Sequence, residues 1–221
     1  MTMTLKHRQD LMIYKNLLVL TAIFFTINTS FAVQSGKVEY NSVLFDYKKL
    51  NFTQIQKEAD NYFVMYKKST TPESKEQFLN NASGKYYILT KVDNTRIEPY
   101  VQLGRIYDET NKPRLAKENF CKAININFKD PSANFYYGEF FYKRNEYKKA
   151  LYHYNIAYNN GFKNKYTLNL RLATIYEKFA DLSNAKKFYD VSYSMKPSGE
   201  LQKKIRSLSD AEYQKSGYYR E

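Results

Sequence analysis

The sequence predicts an all-α protein whose helix pairs stack into a solenoid, and three observations predict it. The first is a recurrence in the second half of the chain. Gly104 returns as Gly138 and Ala173, Tyr107 as Phe141 and Tyr176, Ala116 as Ala150 and Ala185, and Phe120 as Tyr154 and Tyr189. The step is 34 residues and then 35. Small residues stand where two helices must approach closely, and aromatics stand where a knob fills a neighbouring groove. That is the pattern of a helical hairpin that buries its faces only by stacking on copies of itself. The second observation is composition: 43% apolar and 17% aromatic residues can fill a core, which excludes wholesale disorder. The third is punctuation. Only 7 Gly and 5 Pro in 221 residues suit long helices with short connections and argue against a sheet-rich sandwich.

Taken in order, the chain opens with Lys6, His7, Arg8 and Lys15 ahead of an apolar run from Leu17 to Ile27. Polar Asn28-Thr29-Ser30 follows, then Phe31-Ala32-Val33, with Ser30 and Ala32 as a small-x-small pair. This reads as an export signal over residues 1–32, cut after Ala32, which places the protein in a periplasm or outside the cell. Met12 is an alternative start, because Met12-Ile13-Tyr14-Lys15 opens a compact signal by itself. The rival reading, an uncleaved inner-membrane anchor, needs about 20 apolar residues, and the run is shorter. No cysteine lies near Ala32, which argues against a lipid-modified start.

Residues 33–51 carry no helical period and read as a flexible lead; the alternation of Val38, Tyr40, Val43 and Phe45 is too short for a strand. Residues 52–94 read as a divergent helical repeat with a longer connection between its helices. Its first helix carries Phe52, Ile55, Ala59, Tyr62, Phe63 and Tyr66 on one stripe, and Pro72 opens the second, which holds Phe78, Ala82, Tyr86 and Leu89. Ala82 and Tyr86 lie 34 residues before Ala116 and Phe120.

Residues 95–198 read as three regular units. Thr95-Arg96-Ile97-Glu98 has the spacing of a capping box, and Asp130-Pro131 that of an N-cap followed by proline at the first helical position. Asn111-Lys112-Pro113, Asn145-Glu146 and Asp181-Leu182-Ser183 mark the turn inside each hairpin. Asn160-Gly161 and Pro197-Ser198-Gly199 close the second and third units. Residues 199–221 read as a capping helix and tail, with Leu201, Ile205 and Leu208 on one face and Lys203, Lys204 and Arg206 opposite.

These columns resemble the tetratricopeptide repeat, W-x2-L-G-x2-Y followed by A-x3-F, A and P. The first unit matches at Tyr100, Leu103, Gly104, Tyr107, Ala116, Phe120 and Ala123. The second matches at Tyr137, Gly138, Phe141, Ala150, Tyr154 and Ala157, and the third at Leu172, Ala173, Tyr176, Ala185, Tyr189, Ser192 and Pro197. Asn134 and Asn169 replace the first large residue, and Phe128 and Phe162 the closing proline. The resemblance implies a right-handed superhelical solenoid of tetratricopeptide helix pairs, three clear and one divergent, closed by the capping helix. It also implies a concave groove, lined by the first helix of each pair, that takes a protein or peptide.

The inward-facing candidates so implied are Val101, Arg105 and Asp108; Phe135, Tyr136, Glu139 and Tyr142; and Leu170, Arg171, Thr174 and Lys178. Arg105, Arg171 and Lys178 with Tyr136 and Tyr142 would form a basic, aromatic groove suited to carboxylates and stacked side chains. The carboxylate clamp of chaperone cofactors in this family is not reproduced. Val101, Arg105, Tyr136, Thr167 and Arg171 occupy its places, and only the last agrees.

Motifs for chemistry are missing: G-x-S-x-G, H-E-x-x-H, C-x-x-C, the P-loop and G-x-G-x-x-G do not occur. No enzyme activity, small-molecule substrate, metal or cofactor is expected. His153, the one histidine after the signal, reads as a surface or interhelix residue, Cys121 as a small apolar helix residue, and Asp108-Glu109 as a solvated helix end. The net charge of +13 favours an acidic protein partner or, as the alternative, an anionic membrane surface or cell-wall polymer. Nucleic acid is disfavoured because the charge is scattered over lysine pairs and the chain reads as exported.

Overall fold

The computed structural model describes residues 50–215, so the expected export signal and almost all of the expected lead lie outside the described residues. Among the described residues there are nine α-helices and no strand. They are α1 (Phe52–Lys68), α2 (Pro72–Val92), α3 (Ile97–Glu109), α4 (Pro113–Ile126), α5 (Pro131–Tyr142), α6 (Tyr147–Ala157), α7 (Tyr166–Lys178), α8 (Leu182–Met195) and α9 (Gly199–Lys215). Helices pair as the hairpins α1–α2, α3–α4, α5–α6 and α7–α8, and α9 packs on α8. Each hairpin also touches the next, and the first helices α3 and α5 contact each other directly. No helix among the described residues is long and apolar enough to cross a membrane.

The columns read from the sequence are the core. Ala82, Ala116, Ala150 and Ala185 are fully buried, and Tyr86, Phe120, Tyr154 and Tyr189 nearly so. Burying each of these rings contributes about 2–3 kcal/mol. The glycines explain how the rings fit. A Cβ added at Gly104 would stand 2.7 Å from Phe120, and one at Gly138 would stand 2.6 Å from Tyr154. The first hairpin uses Ala59 in the same way: Tyr86 donates to Asp60 at 2.6 Å, as Tyr154 donates to Glu139, the residue after Gly138. The column of small residues therefore reaches back into α1. The extra length of this hairpin lies in its helices, of 17 and 21 residues against 13 and 14 in the next, and not in the expected longer connection.

Turn chemistry repeats with the same period. Asn111, Asn145 and Ala180 adopt φ of 55°, 59° and 57°. The following amides of Lys112, Glu146 and Asp181 return to the carbonyls of Tyr107, Phe141 and Tyr176 at 2.8, 3.0 and 3.0 Å. This is the Schellman closure of a helix end. Between hairpins, Asp130 caps α5 by accepting from the Ala133 amide at 2.7 Å. A wide turn over Tyr158–Phe162 is completed by Gly161 at φ 129°. The capping box read at Thr95 does not form. Asp93 captures both the Thr95 amide (3.0 Å) and hydroxyl (2.6 Å), and Arg96 stands at the N-cap without a side-chain cap. The nearer carboxylate closes a tight local turn first and outcompetes the helix amides.

Asn134 and Asn169 have a structural reason to stand where a large residue was expected. Each is fully buried, and each Nδ2 donates to two carbonyls of the preceding turn: Phe128 and Asp130 for Asn134, Lys163 and Lys165 for Asn169. With Nδ2 so committed, Asn134 Oδ1 must accept, and the Nδ1–H of His153 supplies the proton at 2.9 Å. Thirty-five residues on, Phe188 replaces His153, and Asn169 Oδ1 has no partner.

His153 is an interhelix residue, stacked on Phe141 with ring centroids 5.6 Å apart. Burial lowers its pKa from 6.5 to about 4. Its contribution to stability is therefore complete above pH 6.5 and declines as pH falls from 6.5 towards 4.

Two outcomes follow for stability. Gly138→Ala should cost about 1–3 kcal/mol in urea unfolding, and more than Gly104→Ala, because the Tyr154 ring is pinned by its hydroxyl to Glu139 whereas Phe120 carries no such tether. The drop in wild-type stability between pH 7 and pH 5 should shrink by about 1–2 kcal/mol in His153→Gln, partial exposure allowed for, in the same measurement.

Candidate functional site

The helices α3, α5 and α7 bring together a cavity of about 350 Å³ lined by Arg105, Asp108, Glu109, Phe120, Phe135, Tyr136, Glu139, Lys143, Lys165 and Thr167. A second, of about 600 Å³, lies between α7, α8 and α9 and is lined by Leu170, Arg171, Thr174, Glu177, Tyr189, Glu200, Leu201, Lys203, Lys204 and Ser207. Eight of the eleven candidates read from the sequence line one or other cavity. The others differ in instructive ways.

Val101 is wholly buried in the core and takes no part in the groove. Tyr142 lies under the Arg171 guanidinium at 4.2 Å, and Lys178 lies over Tyr147 at 4.9 Å, away from both cavities. Phe135, though it lines the first cavity, is only 4% exposed, so it acts as wall and floor.

Most of the charge in the groove is spent on holding the hairpins together. Lys67 of α1 bonds Glu109 of α3 at 2.5 Å. Asp108 of α3 receives Lys143 at 2.6 Å and Arg144 at 2.7 Å, both in the turn after α5. Glu139 of α5 receives Arg171 of α7 through Nε at 2.9 Å and Nη2 at 3.3 Å, together with the Tyr154 hydroxyl. Glu177 of α7 receives Lys204 of α9 at 2.5 Å. Each hairpin is tied to its neighbour by one acid. The reading of Asp108-Glu109 as a solvated helix end is thus corrected: the Asp108 side chain is 7% exposed and carries two cations.

Arg171 illustrates the electrostatics. Burial opposes its charge, and the hydrogen bonds and field of Glu139 more than restore it, so its pKa is raised. Burial and then Glu139 likewise push the Tyr154 phenol upward, keeping it a donor.

Two cations stand outside this ladder. Arg105 lies between Phe63 at 4.8 Å and Tyr136 at 4.1 Å, with one N–H given to Gln102 at 2.7 Å. Lys165, which the sequence reading did not select, sits at the N-cap of α7 with its ammonium 4.0 Å from the Phe135 ring centre, 4.7 Å from Phe162 and 5.5 Å from Tyr136. Burial and then the charge of Arg105 lower its pKa. Among the described residues neither cation has a carboxylate in ion-pair range. Lys165 precedes the first turn of its helix, so helical position alone does not direct it into the groove. The flanking Phe162 and Tyr166 were the only sequence signal.

The geometry can be set beside known proteins. Residues 97–130, the α3–α4 hairpin and the turn after it, match the tetratricopeptide repeat family. The structure of PilF from Pseudomonas aeruginosa superposes with a TM-score of 0.57 at 15% identity, over 73% of this chain and 72% of that one. PilW, a type IV pilus biogenesis factor, gives 0.57 at 18% identity over 73% of each chain. YrrB, a tetratricopeptide repeat protein with an unusual peptide-binding site, gives 0.51 at 14% identity over 73% and 76%. The fold is a tetratricopeptide solenoid. No curated protein matches the chain in sequence. In the terms of that solenoid, both cavities lie on the face formed by the first helices.

Proposed function

We propose that the protein is an exported, non-enzymatic scaffold that captures a protein or peptide partner, acidic in character, along the face formed by α3, α5 and α7. The observation that carries this reading is the cavity spanning three consecutive first helices, floored by Tyr136 and edged by Arg105 and Lys165, which no carboxylate among the described residues holds in an ion pair. A groove that already exists and is already ordered binds without a large cost of rearrangement. Of the expected groove set, Arg105, Asp108, Phe135, Tyr136, Glu139, Arg171 and Thr174 line the two cavities and Tyr142 backs them beneath Arg171; Lys165 is added and Lys178, turned to Tyr147, is left out.

The roles within it are distinct: Tyr136 and Tyr142 offer aromatic surface, Glu139 and Arg171 fix the spacing of α5 and α7, and Asp108 anchors the turn after α5. The peptide-binding site named for YrrB supports the peptide mode, and the pilus-assembly role named for PilW supports an envelope location. The export signal over residues 1–32, the lead over 33–51 and the division into a divergent repeat, three regular units and a cap belong to the same proposal.

Crosslinking in the native cell followed by recovery of the protein should yield a discrete protein partner. Tyr136→Ala with Tyr142→Ala should reduce that recovery at least about tenfold, as for aromatic anchors at an interface. Tyr152→Ala should leave it unchanged, because that exposed ring lies on α6, a second helix. Equal loss from Tyr152→Ala, or recovery only of anionic vesicles or cell-wall polymer in a salt-sensitive manner, would overturn the reading.

A further inference from the structure

The two long edges of the solenoid are built differently. One is made by the turns inside the hairpins, and there cations are tied to acids: Lys143 to Asp108, Lys149 to Glu146 and Arg114 to Glu118. The other is made by the turns between hairpins. Contacts between successive hairpins place those turns together. Arg96, ahead of α3, lies 4.8 Å from the ring of Phe52 at the start of α1, and Lys165, ahead of α7, lies 4.0 Å from Phe135 near the start of α5.

On this second edge the lysines rest on aromatic rings. Lys91 lies 5.0 Å from Tyr87, Lys122 5.9 Å from Tyr100, Lys129 5.8 Å from Phe128 and Lys196 5.9 Å from Tyr166. Among the described residues, Arg96–Asp93 is the one ion pair in these turns. The acids nearby are mostly occupied: Asp93 by Thr95 and Arg96, Asp130 by the Ala133 amide and Glu98 by Gln102, which leaves Glu200 at the start of α9. Phe128 gives the edge an apolar point. It and Phe162 stand 34 residues apart, at the same place after their hairpins. Phe162 turns inward to Phe135, with ring centres 6.0 Å apart, whereas Phe128 stays 53% exposed and Ile126, two residues earlier, 37%. Folding makes no use of the Phe128 ring.

We propose that this edge docks on an anionic lipid bilayer, with Phe128 and Ile126 entering the headgroup layer and Lys91, Lys122, Lys129 and Lys196 meeting lipid phosphates. The boundary between water and hydrocarbon suits a ring with an ammonium above it, because ring and stem enter apolar surroundings while the charge stays wet. Anionic headgroups attract lysines held within a Debye length of the surface. Two features select lipid over other acidic partners. Packed helices stand about 10 Å apart, so these lysines form a spaced row and not one pocket, and headgroups that diffuse freely can meet each of them. An acidic polymer or peptide would satisfy the lysines and leave Phe128 and Ile126 in water; a bilayer takes both. This surface is distinct from the groove, and the inference does not rest on the groove reading.

The test is cosedimentation of the full chain with vesicles of phosphatidylcholine alone or with about one third phosphatidylglycerol. Leu20→Asn and Phe24→Asn are present throughout, so that the apolar run from Leu17 to Ile27 does not itself hold the chain to lipid. Binding should be about tenfold or more tighter with phosphatidylglycerol and should weaken as salt rises. Phe128→Ser with Ile126→Ser, and separately Lys129→Gln with Lys196→Gln, should each weaken it about tenfold, the variants being matched by circular dichroism. Phe179→Ser, at an equally exposed ring on the opposite edge, should change it less than about twofold. In a Cys121→Ser background, a fluorophore on Lys163→Cys, in the turn after α6, should be quenched by nitroxide-bearing lipid, and one on Lys112→Cys, in the turn before α4, should not.

Equal binding to both vesicle types, equal weakening by Phe179→Ser, or quenching at Lys112→Cys in place of Lys163→Cys would overturn the docking edge. So would loss in the lysine variant with none in the Phe128 and Ile126 variant, the mark of attraction to any polyanion. Tyr136→Ala with Tyr142→Ala should leave vesicle binding unchanged, so the edge and the groove fail separately.

Discussion

Everything in this molecule depends on how closely the two helices of a hairpin approach. The contact that sets the distance is a small residue on the first helix against an aromatic ring on the second: Ala59 with Tyr86, Gly104 with Phe120, Gly138 with Tyr154, Ala173 with Tyr189. At Gly104 and Gly138 there is no room for one more carbon. Because the ring hydroxyl emerges next to the following residue of the first helix, the same contact also decides what that residue does. Asp60 and Glu139 accept from Tyr86 and Tyr154 and are held in place. Opposite Phe120 there is no hydroxyl, the corresponding residue is Arg105, and its guanidinium turns to Phe63 and Tyr136. Of the four rings only Phe120 lacks the hydroxyl, and Arg105 in its hairpin is turned to the aromatics; Tyr189 of the last hairpin gives its hydroxyl to Glu177 instead.

Stacking of hairpins adds a second layer. A solenoid has few contacts between distant parts of the chain, so each junction must hold by itself. Here each junction combines buried aromatics with one acid bridging to the next unit, from Lys67–Glu109 through Asp108–Lys143 and Glu139–Arg171 to Glu177–Lys204. Pairs that are partly withdrawn from solvent are worth more in specificity than in net stability, since desolvation offsets much of the attraction. Their value is that they fix the register of neighbouring first helices, and with it the width of the groove. The consequence is subtraction: a chain with a net charge of +13 keeps few cations outside ion pairs on this face among the described residues.

The repeat made much of the fold legible. A column that recurs every 34 residues can only be satisfied by identical packing, so helix pairing, turn positions and the buried rings follow from the spacing of Gly104, Ala116, Phe120 and their successors. Where reading failed, the reason was competition or reach. At Thr95 a carboxylate two residues earlier closed a turn before the helix amides could be capped. Asn134 and Asn169 looked like degeneracy and are instead the ties of the preceding turns, a role visible only once the turn carbonyls are in place. Asp108 looked wet because its two cations are more than thirty residues away in sequence.

The sequence by itself determined that this chain is a stack of helical hairpins, because small and aromatic residues at a fixed period leave no other way to bury the rings. Which helix of each pair lines a groove was an expectation that came from the tetratricopeptide resemblance and not from the spacing. Only the tertiary structure decided which charges remain available there. Arg171 and Lys178, read as groove cations, are taken by Glu139 and carried away to Tyr147 respectively, while Lys165, outside any helical stripe, reaches across Phe135 to join Arg105. The reason is physical: local spacing fixes where a backbone goes, but a long flexible side chain chooses its partner by distance and burial, and those exist only after the hairpins have stacked.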